Sequence, residues 1–184
     1  MPDRIWTASN FLSFLRVFLV PLVAYCLVED FPYNRLWAGG IIVVAIFTDV
    51  LDGYFARRLH QVSELGKIID PLADKVAAAV VTFVLAWIGE IPMWLVVVVV
   101  VRDLLILVGG IYIKKKKNIV VQSNWVGKLA VAALTAYVFL ATLDFAVLET
   151  LREITLWSSV VMMVLSFAVY AQRVFIGRRI RAEH

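Results

Sequence analysis

The sequence predicts an all-α integral membrane protein of six transmembrane helices with both termini cytoplasmic. Three observations predict it: the apolar composition, six runs of bilayer length, and the one-sided placement of Lys and Arg. Of 184 residues, 62% are hydrophobic and mean hydropathy is +0.89. Soluble globular chains run near about 45–50% apolar, so the excess is too large for one soluble core. A bilayer core of about 30 Å needs roughly 20 helical residues. Six runs meet that length, at 11–29, 36–57, 66–88, 91–113, 125–146 and 154–177. Alternation of the barrel type is absent, and helices are then the way to satisfy the backbone in lipid.

The elements follow in order. The first run lacks a small-residue cleavage site, so it reads as a retained span rather than a signal peptide. It holds the single cysteine, Cys26, which reads as a small packing residue. Pro32 separates the first two runs, and Gly89 and Pro92 bracket the turn between the third and fourth. Gly109 and Gly110 in the fourth run read as a site of close helix packing. No soluble domain or internal repeat interrupts the pattern, so residues 1–184 read as one six-helix transmembrane domain.

Charge sets the orientation. One set of helix ends carries Arg4, Arg57, Arg58, Lys67, Lys114 to Lys117, Lys128, Arg173, Arg178, Arg179 and Arg181; the other carries only Arg35 and Arg152. The positive-inside rule places the first set in the cytoplasm. Glu29, Asp30, Glu90, Asp144, Glu149 and Glu153 gather on the far side, and tryptophans flank both surfaces. The net charge of +4 then reports cytoplasmic loops facing anionic headgroups rather than nucleic acid. The membrane expected is a bacterial inner membrane.

Several ionisable residues lie within or at the ends of the runs: Arg16, Asp49, Asp52, Asp70, Asp74, Lys75, Arg102, Asp103 and Lys128. Each is costly at bilayer depth, by a few kcal/mol on insertion scales. Lys and Arg near a span end can snorkel; carboxylates on short stems cannot. Asp49 and Asp52 are three apart, and Asp70 and Asp74 are four apart, so each pair shares a helix face. If the second and third spans pack as an antiparallel hairpin, both pairs meet near the cytoplasmic surface. Converging carboxylates repel unless they are protonated or bridged by cations. An all-oxygen set suits Mg²⁺, Mn²⁺ or Ca²⁺ rather than zinc. Four carboxylates predict two metals, a recurrent solution for displacement at phosphorus. Gly53, Ala56 and Gly66 leave room for a ligand beside them, and Arg57 suits a phosphate.

The pattern Asp49-x2-Asp52-Gly53-x2-Ala56-Arg57-x8-Gly66-x3-Asp70-x3-Asp74 resembles the signature of the CDP-alcohol phosphotransferases at every position and spacing. The first span resembles that family's first span more loosely: Asn10 and Arg16 match, while Ser9 and Ser13 stand for the usual Pro and Thr. The resemblance implies a six-helix, usually dimeric fold whose polar cavity opens to the cytoplasm and to lipid. It implies transfer of a phosphatidyl group from CDP-diacylglycerol to an alcohol, with release of CMP. On this resemblance Asp49, Asp52, Asp70 and Asp74 bind two divalent cations, Mg²⁺ or Mn²⁺, and Asp74 is the general base. Gly53, Ala56, Arg57 and Gly66, with Asn10 and Ser13, match the positions that bind CDP.

The acceptor is read from later cations. Arg102, Lys128 and Arg173 are the candidates for an acceptor phosphate, with Asp103 as the neighbour that could simply pair with Arg102. Gly127-Lys128 resembles the Gly-Lys of phosphatidylglycerophosphate synthases, although Leu129, Ala130 and Val131 follow in place of the fuller Gly-Lys-x-Lys-Thr. The stretch around Arg102 resembles cardiolipin synthases of the same fold equally well. The expected acceptor is sn-glycerol 3-phosphate, with phosphatidylglycerol as the alternative. A divalent-cation or organic-anion transporter is the reading from another class. Transporters commonly carry repeats and broken helices near the midplane; this chain shows no repeat and keeps its carboxylates near one surface.

Overall fold

The six apolar runs are six α-helices, and no strand occurs among the described residues. The computed structural model describes the backbone of residues 8–59, 66–117 and 125–179, and the side chains of 18–48, 75–110 and 125–172. The helices are α1 (Ala8–Val28), α2 (Asn34–Leu59), α3 (Gly66–Trp87), α4 (Met93–Lys117), α5 (Trp125–Leu143) and α6 (Glu149–Arg179). The largest departure from the sequence boundaries is at α6, which starts at Glu149 rather than 154 because a 3-10 turn, Ala146–Leu148, leads straight into it.

Among the described residues, three stretches are long and apolar enough to cross a membrane: Met93–Gly110, Trp125–Leu143 and Ala146–Gln172. The apolar stretches of the first three helices are shorter there, at Phe18–Val28, Asn34–Thr48 and Lys75–Trp87. The chain divides into two units, Met1–Ile91 with Ala141–Asp144, and Pro92–Leu140 with Phe145–His184.

In the first unit α1 packs against both α2 and α3. It does so through Val23, Cys26 and Leu27, a buried i, i+3, i+4 set on one face. Ala38 of α2 and Val81, Leu85 and Ala86 of α3 are the buried apolar residues on the two neighbours. Pro21 sits inside α1. It removes one backbone donor, which membrane helices tolerate where neighbours re-satisfy the freed group.

The turns at one end of this unit are closely specified. α3 ends in a Schellman motif: the Glu90 N–H donates to the Leu85 carbonyl and the Gly89 N–H to Ala86. Gly89 takes φ +88°, a conformation in which a Cβ would be strained. At the start of α2, Asn34 donates through Nδ2 to the Glu29 carbonyl and accepts the Arg35 N–H at Oδ1. Arg35 Nη2 then donates to Glu90 Oε1 at 2.7 Å. That ion pair joins the beginning of α2 to the turn after α3, as an antiparallel pair requires.

In the second unit α4 and α6 run parallel. Trp94 faces Trp157 with ring centroids 6.4 Å apart, Arg102 reaches Ser166, and Tyr170 reaches Ile106. Partner numbers rise together, so the two helices start at the same end. Ser159, Met163 and Ser166 are buried on α6 at i, i+4, i+7. Two of the three are small, the kind of residue that lets membrane helices approach.

Candidate active site

Helical rise sets the depth of the four aspartates. At about 1.5 Å per residue, Asp49 and Asp52 lie about 21 and 26 Å along α2 from Arg35. Counted from Trp87, just before the turn that holds Glu90, Asp74 and Asp70 lie about 20 and 26 Å along α3. The two pairs therefore lie at similar distances along their helices from the Arg35–Glu90 ion pair. Each pair lies within one helical turn, so each occupies one face of its helix. The side chains of Asp49, Asp52, Asp70 and Asp74 lie outside the described residues, as do those of Gly53, Ala56, Arg57 and Gly66 on the same helix ends. Among the described residues, no three His, Cys, Asp or Glu side chains come together. Carboxylate oxygens are the donors that hard cations prefer.

Asn10 and Ser13 lie on α1, the helix that contacts both carriers of the aspartates. Their side chains also lie outside the described residues. Just before Asp49, the Thr48 hydroxyl donates to the Val44 and Ala45 carbonyls of its own helix. It is thus turned back onto α2.

The acceptor candidates differ from one another. Arg102 sits in the α4–α6 seam with its side chain 15% exposed. Its Nη1 donates to Asp103 Oδ1 at 2.7 Å and its Nη2 to Ser166 Oγ at 3.3 Å, while Nε is buried without a partner. Asp103 does pair with Arg102, as the sequence allowed. Lys128 is exposed, and its Nζ lies over the Trp125 ring at 5.3 Å from the centroid. Arg173 lies on α6 with its side chain outside the described residues.

Sequence reasoning did not find Ser166 or Tyr170. The Tyr170 hydroxyl donates to the Ile106 carbonyl at 3.2 Å and sits against Gly109, where an added Cβ would stand 2.8 Å from it. The Gly109 position predicted from sequence as close packing is thus the seat of Tyr170.

The fold and these residues define an all-helical, strongly apolar protein with two aspartates one turn apart near one end of each of two helices. Residues 6–170 match the family model described as CDP-alcohol phosphatidyltransferase, and the chain belongs to that family. A Streptomyces coelicolor protein named cardiolipin synthase (CMP-forming) is 33% identical over 131 residues, 70% of this chain and 61% of that one. Two proteins are named CDP-diacylglycerol--glycerol-3-phosphate 3-phosphatidyltransferase. The one from Mycoplasma genitalium is 37% identical over 70% of this chain and 52% of its own length. The one from Bacillus subtilis is 29% identical over 65% of this chain and 68% of its own. The match thus spans less than two thirds of the Streptomyces and Mycoplasma relatives.

Proposed function

We propose that the protein is a membrane-embedded phosphatidyltransferase that moves a phosphatidyl group from CDP-diacylglycerol to sn-glycerol 3-phosphate. The observation that carries this is the complete family signature, with its four aspartates at similar distances along α2 and α3 from the Arg35–Glu90 ion pair. In this reading all six helices span the bilayer of a bacterial inner membrane. Both termini and the aspartate end of α2 and α3 face the cytoplasm, and the protein works as a homodimer. Lys and Arg placement supports the orientation.

Asp49, Asp52, Asp70 and Asp74 would hold two divalent cations, Mg²⁺ or Mn²⁺, which neutralise the diphosphate and the leaving CMP when bound. Asp74 takes the proton from the acceptor hydroxyl. The acceptor oxygen forms a bond to the phosphatidyl phosphorus, and the bond from that phosphorus to the CMP oxygen breaks. Gly53, Ala56 and Gly66 give the CDP moiety close access to the backbone. Arg57, with Asn10 and Ser13, binds its polar groups. Arg102, aided by Lys128 and Arg173, contacts the acceptor phosphate.

One observation favours phosphatidylglycerol as acceptor instead, making the product cardiolipin. Arg102 is already paired with Asp103, which reduces the positive charge on offer to a doubly charged phosphate. The relative from Streptomyces coelicolor is named for that reaction. CMP release by the purified protein from CDP-diacylglycerol, with glycerol 3-phosphate, phosphatidylglycerol, inositol phosphate and serine in turn, decides between them. Faster release with glycerol 3-phosphate than with phosphatidylglycerol is the expected result. No CMP with any of these four acceptors would point to a different alcohol as the acceptor.

A further inference from the structure

We propose that Tyr170 is a positioning residue for the acceptor: seated on Gly109, it fixes how α6 is turned against α4, and so where the Arg102 guanidinium lies. This rests on the reading of Arg102 as an acceptor-phosphate residue.

The α4–α6 seam is built from two matched faces. On α4, Arg102, Ile106 and Gly109 stand at i, i+4 and i+7; on α6, Ser159, Met163, Ser166 and Tyr170 stand at i, i+4, i+7 and i+11. At about 3.6 residues per turn, each set falls within one stripe of its helix. The stripes meet at two levels. Arg102 Nη2 donates to Ser166 Oγ at 3.3 Å and, one turn on, the Tyr170 hydroxyl donates to the Ile106 carbonyl at 3.2 Å. Both bonds join residues 64 apart, so they share one register.

Of the two contacts, the tyrosine is the one that sets this register. A serine hydroxyl rotates to suit its partner, and 3.3 Å is long for such a bond. Tyr170 instead places a rigid ring in a notch. A Cβ on Gly109 would stand 2.8 Å from the Tyr170 hydroxyl, 3.2 Å from Cε1 and 3.4 Å from Cζ, so the ring fits there because Gly109 has no side chain. Turning α6 takes the ring out of the notch and the hydroxyl off Ile106. Because a helix turns as a unit, it takes Ser166 off Arg102 as well.

The other contacts of Arg102 do not supply this constraint. Asp103 is the next residue of α4, so its bond to Nη1 travels with α4 and leaves the place of the guanidinium against α6 unset. Asp103 and Ser166 also have further interactions, so neither is reserved for Arg102. What confines the guanidinium is the seam, in which its side chain is 15% exposed and its Nε is buried. Guanidinium binds phosphate through directional, paired bonds, and a small misplacement of such a contact is costly.

The test uses the full chain in proteoliposomes, with CMP release as readout. KM is measured separately for CDP-diacylglycerol and for whichever of glycerol 3-phosphate and phosphatidylglycerol supports release. Tyr170→Leu is expected to raise acceptor KM about tenfold, the size of one hydrogen bond to a charged group, with KM for CDP-diacylglycerol unchanged. Tyr170→Phe keeps the ring in the notch and is expected to stay within about threefold of wild type, the size of one neutral hydrogen bond. Added to Arg102→Ala, Tyr170→Leu should raise acceptor KM no further, because its effect passes through Arg102. Gly109→Ala should also raise acceptor KM. Adding Tyr170→Phe to Gly109→Ala should then lower it again, because the atom that the new methyl group meets first is gone. The Gly109 variants decide the matter even where Tyr170→Leu fails to fold. Equal rises in both KM values with Tyr170→Leu overturn the proposal. So do additivity with Arg102→Ala, and a doubly substituted Gly109→Ala, Tyr170→Phe protein worse than Gly109→Ala alone. If Arg102→Ala itself leaves acceptor KM unmoved, the placement of Arg102 falls, and this inference with it. If Arg102→Ala raises acceptor KM and Tyr170→Leu does not, this inference alone falls.

Discussion

The two ends of the α2–α3 pair use charge in opposite ways. At one end, charges of opposite sign and complementary polar groups meet. Arg35 meets Glu90, Asn34 meets the Glu29 carbonyl and the Arg35 N–H, and Gly89 closes the helix. Toward the other ends of α2 and α3 the sequence places two aspartates on each helix at one-turn spacing, beside Arg57, Arg58, Lys67 and Lys75. Carboxylates three and four apart on one helix repel, so helix stability alone gives no reason for the spacing. The first end holds the helices together, and the second is held in place by them. A charged helix end is therefore read by its spacing as well as its signs: opposite charges brought together from distant residues point to a staple, and carboxylates repeated one turn apart on one helix point to a ligand of the opposite charge.

That contrast is broken or sharpened by substitution at each end. The largest effect belongs to Asp74→Asn. Loss of a general base lowers kcat by about 10²–10⁴-fold, with the melting temperature held and Mn²⁺ still bound. Near-normal kcat in this variant removes Asp74 from the proton transfer. Asp49→Asn and Asp70→Asn come next. Each removes a charged oxygen donor and shifts the Mn²⁺ titration to weaker binding, again with little change in melting. A superimposable titration counts against the ligand set.

At the stapled end the order of effects reverses. Glu90→Gln leaves Arg35 without its ion-pair partner. The two side chains are 25% and 17% exposed, so part of the attraction is already screened. A loss of about 1 kcal/mol is expected, the upper part of the range for partly exposed pairs. It is read as a fall of a few degrees in thermal unfolding in detergent, with both KM values near wild type. Should Glu90→Gln instead abolish turnover as fully as Asp74→Asn, the division between a structural end and a chemical end collapses.

Much of this division is legible in the sequence, for identifiable reasons. The helices announce themselves because apolar runs of bilayer length leave the backbone few alternatives. The aspartates announce themselves because i, i+3 and i, i+4 spacings are local. The Arg102–Asp103 pair is legible because the residues are adjacent. What stays hidden depends on contacts between distant segments. Arg35 and Glu90 read only as far-side charges until the turn after α3 brings them together. Ser166 and Tyr170 read as unremarkable members of a long apolar helix. Their roles need α4 and α6 to pack in parallel, with partners 64 residues apart. The position of α1 against both α2 and α3 is equally silent in the sequence, since all three helices are apolar around much of their circumference.

The smallest expected effect concerns Lys128, and it separates two cations that the sequence treats alike. Arg102 is mostly buried, in a seam with hydroxyl and carboxylate partners. Lys128 is exposed, one turn into α5, with its ammonium over the face of Trp125, itself 80% exposed. A cation over an exposed indole contributes roughly 0.5–1 kcal/mol, and the arrangement suits a side chain anchoring a helix start at a headgroup surface. Lys128→Ala should therefore raise KM for a phosphorylated acceptor less than about threefold, within the effect of one weak interaction. Arg102→Ala should raise it far more. A rise with Lys128→Ala as large as that with Arg102→Ala would mean that the Lys128 ammonium leaves Trp125 for the acceptor during turnover, and would make the two cations equal members of one site.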